Sequence, residues 1–252
     1  MIPAATCLIF SRRSGARPQR RLRHRVAACI VVLAALFGPA ALQQSPRVAT
    51  AGRDWIEHEF WIELQPVGQP AEEGYPLAPE EAAQRVLDEA RYVYSAMVFG
   101  MEFRYTPLDL ARQIDERFEL TPVAELPWGD PGIRVRSSRQ ADARLWARIR
   151  YTLRDHERRR LDAWSSSRYP VASGRGEATL LGGWTAKREA IENGLKQAVR
   201  EYVRARVYNK PREIRGRLAF YDPPRIILHS GSYVAQVRAR LDIEMVEPYA
   251  VY

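Results

Sequence analysis

The sequence predicts an α+β fold: two helix-plus-antiparallel-sheet units behind an N-terminal signal or anchor segment. Three observations lead there. Several stretches alternate strictly between apolar and polar residues, as half-buried strands do. Two stretches of about twenty residues carry a single apolar stripe at helical spacing. Each helical stretch is followed by strands, an order that favours helices laid on one face of antiparallel sheets. The composition, 46% hydrophobic and 27% charged over 252 residues, is that of a folded globular chain.

The first element is an address. Residues 12–25 carry seven arginines, and Val26 to Leu42 follows without a charge. A cationic stretch held on the cytoplasmic side of an apolar one is the pattern of a secretory signal. Residues 1–42 are therefore expected to be a signal peptide or membrane anchor. Gly38-Pro39-Ala40 and Ala49-Thr50-Ala51 are the candidate cleavage sites. Val26-Ala27-Ala28-Cys29 has the form of a lipoprotein box, but the apolar run follows the cysteine where it should precede it. The pairs Arg12-Arg13 and Arg20-Arg21 lack the apolar residues of a twin-arginine signal directly after them. Cys7 and Cys29 are the only cysteines, so a cleaved chain would hold no thiol nucleophile and no thiolate metal site. Residues 43–53 read as a linker.

Residues 54–160 are expected to form the first unit. Asp54 to Gln65 is a strand, with Ile56, His58, Phe60, Ile62 and Leu64 on one face and Trp55, Glu57, Glu59, Trp61 and Glu63 on the other. Pro79-Glu80-Glu81 starts a helix by a preset φ and acidic residues near the positive helix end. That helix runs to Met97 with Ala83, Val86, Leu87, Ala90, Val93, Tyr94 and Met97 as its stripe. Val98 to Tyr105 is a strand, Leu108 to Phe118 a short helix, Glu119 to Leu126 a strand. Pro127-Trp128-Gly129-Asp130-Pro131-Gly132 is a turn, and Ile133 to Arg136 begins the next strand. Ala143 to Asp155 is a long strand: Leu145, Ala147, Ile149, Tyr151 and Leu153 inward, Trp146, Arg148, Arg150, Thr152 and Arg154 outward.

Residues 161–184, rich in Ser, Gly and Arg, are expected to connect the units. The second unit, 185–252, opens with a helix from Thr185 to Arg206 whose stripe is Ile191, Leu195, Ala198, Tyr202 and Ala205. Gly194 inside it costs about 1 kcal/mol against Ala and marks either a close helix–sheet contact or a weak helix. Strands over Glu213–Tyr221, Arg225–His229 and Ser232–Val246 close the chain, the last two joined at Ser230-Gly231.

The units resemble each other. Glu81, Ala82, Leu87, Ala90 and Tyr94 match Glu189, Ala190, Leu195, Ala198 and Tyr202 at one offset. Ala147, Arg150 and Leu153 match Ala235, Arg238 and Leu241 at a shorter one. Either the chain carries a degenerate internal duplication, with about 20 extra residues in its first copy, or two amphipathic helices share composition. The pattern Ala190-x4-Leu195-x2-Ala198-x3-Tyr202, then Asp222-Pro223-Pro224 before Ile226, then Tyr233 to Ala239, resembles the α+β modules of bacterial flagellar assembly protein T and related small envelope lipoproteins. The resemblance covers about 60 residues and implies a non-catalytic, envelope-associated role.

The chemistry-bearing residues are sparse. His24, His58, His156 and His229 show no zinc-ligand spacing. Gly174-Arg175-Gly176 and Gly182-Gly183 lack the Lys-Ser/Thr ending of a phosphate loop. Ser232 and His229 flank a tight turn, and Glu57 with Glu59 shares one strand face, readable as paired carboxylates or as a solvated surface. No cofactor and no metal are expected. Charge is distributed unevenly: residues 54–119 carry 15 acidic and 5 basic residues, while residues 134–160 carry 10 arginines against three acids. Such halves pair internally or present patches to partners. If a patch exists, Trp146, Arg148, Arg150 and Arg154 are its expected centre, because guanidinium forks beside an aromatic suit interfaces. The expected function is that of an exported, periplasmic or envelope-associated binding or structural protein. Its partner would be an envelope protein or an acidic cell-wall or lipid surface. Nucleic acid does not suit an exported chain. The alternative is an exported hydrolase whose site is assembled from dispersed residues.

Overall fold

A computed structural model describes residues 54–65 and 76–249. The expected targeting segment, both cleavage sites, the linker and both cysteines lie outside the described residues. The elements are β1 (Trp55–Glu63), α1 (Pro79–Val98), β2 (Met101–Thr106), β3 (Arg117–Pro122), β4 (Ile133–Ala141), β5 (Arg144–Thr152), α2 (Asp155–Trp164), β6 (Val171–Thr179), α3 (Thr185–Arg204), β7 (Glu213–Phe220), β8 (Arg225–His229) and β9 (Ser232–Glu247). They build an α+β fold with two antiparallel sheets. One has the order β1-β5-β4; the other runs β3-β2-β7-β9-β6, with β8 also paired to β9.

The alternation read from sequence sets the faces. Ile56, Phe60 and Ile62 of β1 and Ala147, Ile149 and Tyr151 of β5 are buried against α1. Tyr94 of α1 donates its hydroxyl to the Ile149 carbonyl at 2.6 Å and stacks on Tyr151 at 6.1 Å. α1 touches β7 of the larger sheet as well as β1 and β5, so its last turn, from Val93 to Val98, is buried all round. Its inner position in the first turn is Ala82, and Ala83, expected in the stripe, is exposed.

α3 lies directly on β6. A methyl group at Gly176 would meet the Ala190 carbonyl at 2.1 Å, and one at Gly174 the Gly194 carbonyl at 2.0 Å. Gly194 therefore marks close backbone approach. Ile191, Leu195, Ala198, Val199 and Val203 are buried, while Tyr202 is half-buried and Ala205, just past the helix end, is exposed. Lys187, 3% exposed, ties α3 to the small sheet. Its Nζ donates to the Trp61 carbonyl at 2.5 Å and to Glu89 at 2.7 Å.

Three stretches differ from expectation. In place of a helix over Leu108 to Phe118 there is a 3-10 turn, Leu110–Arg112, and the start of β3, because Asp109 closes a tight turn by accepting from the Arg112 N–H at 3.3 Å and guanidinium at 2.8 Å. β5 stops at Thr152, and α2 follows. The expected connection 161–184 contains the end of α2 and all of β6, an edge strand with Ala172, Gly176 and Ala178 turned inward. Pairing also crosses from one expected unit to the other, since β2 pairs β7.

A repeat is visible in the ladders. β1 pairs β5 over nine positions, from Trp55↔Thr152 to Glu63↔Arg144. β6 pairs β9 over nine, from Val171↔Arg240 to Thr179↔Ser232. The β4–β5 hairpin turns on Asp142-Ala143 and the β8–β9 hairpin on Ser230-Gly231, all four residues at positive φ. These are the two-residue turns whose twist matches the strands, and they sit at the shorter of the two sequence offsets. Each plan runs strand, helix, strand, hairpin. The first contains β3 as an additional strand before its hairpin, and each contains one 3-10 turn, Leu110–Arg112 in the first and Leu180–Gly182 in the second.

Candidate binding face

The outer face of the small sheet is where the expected patch lies. On β5, register puts Arg144, Trp146, Arg148 and Arg150 on the face opposite α1. On β1 it adds Trp55, Glu57, Glu59, Trp61 and Glu63; on β4, Arg134, Ser137 and Arg139. Of the four expected residues, Trp146, Arg148 and Arg150 share this face. Arg154 does not. The strand ends two residues before it, and Arg154 sits at the start of α2, where its guanidinium holds Asp130 at 2.7 Å and the fully buried Glu157 at 3.0 Å. Glu157 also accepts the Tyr151 hydroxyl at 2.7 Å and the Arg154 N–H at 2.8 Å. Arg154 is thus engaged in closing a buried carboxylate cluster.

Arginine and aromatic side chains interleave across the face. The Arg150 guanidinium lies 4.2 Å from the Trp55 ring, Arg139 lies 4.7 Å from Trp146, and Arg144 lies 4.5 Å from Trp61. Trp61 and Trp146 meet at 5.8 Å. Stacking of this kind holds a guanidinium flat while leaving its N–H edges free to donate. Two arginines are neutralised by acids from the first strand: Arg150 bonds Glu57 at 2.7 Å and Arg139 bonds Glu59 at 3.2 Å. Part of the charge asymmetry in the sequence therefore pairs internally. Among the described residues, Arg148 and Arg134 have no carboxylate partner, and both are exposed. Arg136, also exposed, sits at the bulge between Val135 and Ser137. The Trp146 indole N–H is buried without an acceptor.

The other end of the face is closed. Trp61 and Glu63 are buried, and Glu63 accepts the Tyr233 hydroxyl of β9 at 2.7 Å. What remains open is the surface from Arg148 across to β4, a strand exposed from Arg134 to Gln140. The role of β4 was not legible in sequence. Its four-residue beginning was visible, but Arg139 counted only as charge until register placed it beside Trp146.

The three described histidines lie on different elements. His58 is on the inner face of β1, 4.9 Å from the Phe60 ring. Burial lowers its pKa to about 4, against the opposing pull of Asp222 and Glu59. His229 ends β8 and faces Ser232 across the hairpin; His156 lies 3.9 Å from Glu157 in the first turn of α2. Gly174 and Gly176 serve the helix contact. Among the described residues no group of three or more His, Cys, Asp or Glu is placed to hold a metal ion, and no helix is long and apolar enough to cross a membrane.

A family model matches residues 43–249, which includes every described element. A protein of Treponema pallidum (strain Nichols), named "Uncharacterized protein", is 30% identical over 233 residues, covering 88% of this chain and 94% of its own length. No solved structure matches.

Proposed function

We propose, from the premise that this chain belongs to the family matched over residues 43–249 and shared with the Treponema pallidum protein, that it is an exported envelope protein that works by binding. Its docking surface is the outer face of the β1-β5-β4 sheet, and its partner is an acidic face of another envelope protein. The observation that carries the reading is the run of arginines with no carboxylate of their own, Arg134 and Arg148, beside guanidinium-stacked Trp146. Charge-assisted bonds to carboxylates are the strong ones, and these two exposed guanidiniums make none within the described residues. The arginine-rich segment followed by the apolar run Val26–Leu42 supports export. The likeness of the last 60 residues to flagellar assembly protein T modules supports an accessory, non-catalytic role.

The test is site-specific photo-cross-linking in cells. A cross-linking side chain at Ser137, opposite Arg148 in register, should trap a discrete envelope protein, whereas one at Leu181, exposed next to β6, should not. Changing Arg148 and Arg134 to Glu should abolish the adduct and leave the melting temperature within a few degrees, because exposed charges contribute little to stability. Arg150 is left intact, since it has Glu57 to satisfy. An adduct that survives the double change discards the reading.

A further inference from the structure

We infer a second contact surface, built from other residues than the first: an anionic lipid surface docks where the 3-10 turn Leu110–Arg112 meets the end of α3. An open groove of about 570 Å³ lies there, lined among others by Leu108, Leu110, Arg204, Tyr208 and Lys210. Two apolar side chains stand in water at its rim. Leu110 is 80% exposed and Tyr208 fully exposed, with Leu108 beside them.

The fold holds these side chains out. Asp109 is buried and locked to Arg112, so the turn that carries Leu110 is braced from beneath. Gln113 then takes the left-handed conformation at φ 57°, and Asp109 exchanges backbone hydrogen bonds with Ile114 at 2.8 and 2.9 Å. Lys210 donates to the Leu108 carbonyl at 2.6 Å, which fixes the segment bearing Tyr208 against the turn. Leu108, Leu110 and Tyr208 line the same groove and are all exposed, and apolar groups clustered in this way mark contact sites.

Charge selects the occupant. Residues 200–212 contain Arg200, Arg204, Arg206, Lys210 and Arg212 against one acid, Glu201. The acids facing the groove are already engaged. Glu116 bonds Lys196 at 3.0 Å, lies 3.9 Å from Arg200 and accepts the Tyr105 hydroxyl at 2.8 Å, and Asp109 is held by Arg112. Arg212 is bound to Glu247, and Arg206 lies over the Tyr202 ring. Arg204, exposed at the rim, has no carboxylate among the described residues. Exposed Leu110 and Tyr208 on a groove also lined by Arg204 and Lys210 match an interface where acyl chains lie below anionic headgroups.

The experiment uses the full chain and reads the site itself, so that any insertion of Val26–Leu42 does not obscure it. Hydrogen exchange is measured with phosphatidylcholine vesicles, with vesicles that also contain phosphatidylglycerol, and with soluble polyglutamate. Exchange over 107–112 and 205–211 should slow on the phosphatidylglycerol vesicles only. That protection should be lost in Leu110→Asp/Tyr208→Asp, whose melting temperature should match the parent because both side chains are already in water. Protection should persist in Arg148→Glu, which separates this surface from the sheet face. No protection on phosphatidylglycerol vesicles overturns the inference. So does equal protection on phosphatidylcholine alone, or protection by polyglutamate without protection by vesicles, the last assigning the surface to an acidic protein.

Discussion

One buried histidine links the stability of this fold to pH on the acid side. His58 was expected on the apolar face of β1, and it lies there against Phe60. With its folded pKa lowered to about 4 by burial, it stays neutral in the native chain while the unfolded chain takes up a proton near the ordinary value. Between about pH 6.5 and 4 the unfolded state therefore binds more protons, and stability falls as pH falls. His58→Leu should flatten this part of the stability curve, removing a slope worth about 3 kcal/mol across the interval. Urea titrations of parent and variant at pH 7 and pH 4.5 would show it; parallel losses in both proteins would place the acid sensitivity elsewhere. At the same scale, Arg154 shows what alternation cannot say. Leu153 continues the inward pattern of β5 and is buried, so the alternation reads on past the strand's end at Thr152, and the side chain after it turns away to Asp130 and Glu157.

Elements differ in how plainly they are written. β1 and β5 are legible because large apolar residues alternate with charged ones, and the β8–β9 hairpin because the two turn residues Ser230-Gly231 separate its strands. α2 was not. Asp155-His156-Glu157-Arg158-Arg159-Arg160 carries no apolar stripe, and its buried positions are only Glu157 and Leu161; the helix is held by a carboxylate. β6 was hidden for the opposite reason: its inward residues are Ala and Gly, too small to register as a hydrophobic run. That smallness is what seats α3. Gly176→Val should force the helix off the sheet, since even a methyl group there meets backbone atoms at 2.1 Å. The cost should be about 3 kcal/mol or more, at the upper end for overpacking, read as a drop in the urea midpoint with an unchanged slope. A variant that melts like the parent would mean α3 does not rest on β6.

At the scale of the molecule, the two halves expected from sequence share one sheet. β2 from the first half pairs β7 from the second, and α1 touches both sheets. A fragment spanning 54–160 should therefore fail to fold alone, because β2 would present an open edge and α1 would lose part of its cover. Aggregation or a disordered circular dichroism spectrum for the fragment is the expected result; a cooperative melt would show instead that the first half is autonomous. The repeated plan poses a problem that the finished structure conceals. Hairpins β4–β5 and β8–β9 are local and can form early, whereas β1 and β6 must each find a hairpin across a long loop. Both hairpins offer a nine-residue slot of the same length, so length does not distinguish the correct mate from the wrong one. Side-chain volume does. Phe60 and Ile62 would hold α3 away from its sheet, and Gly174 and Gly176 would leave the layer beneath Tyr94 unfilled. The bulk of one strand and the smallness of the other thus act as a sorting code, and the glycines that let a helix lie close also keep two hairpins with slots of equal length from exchanging partners.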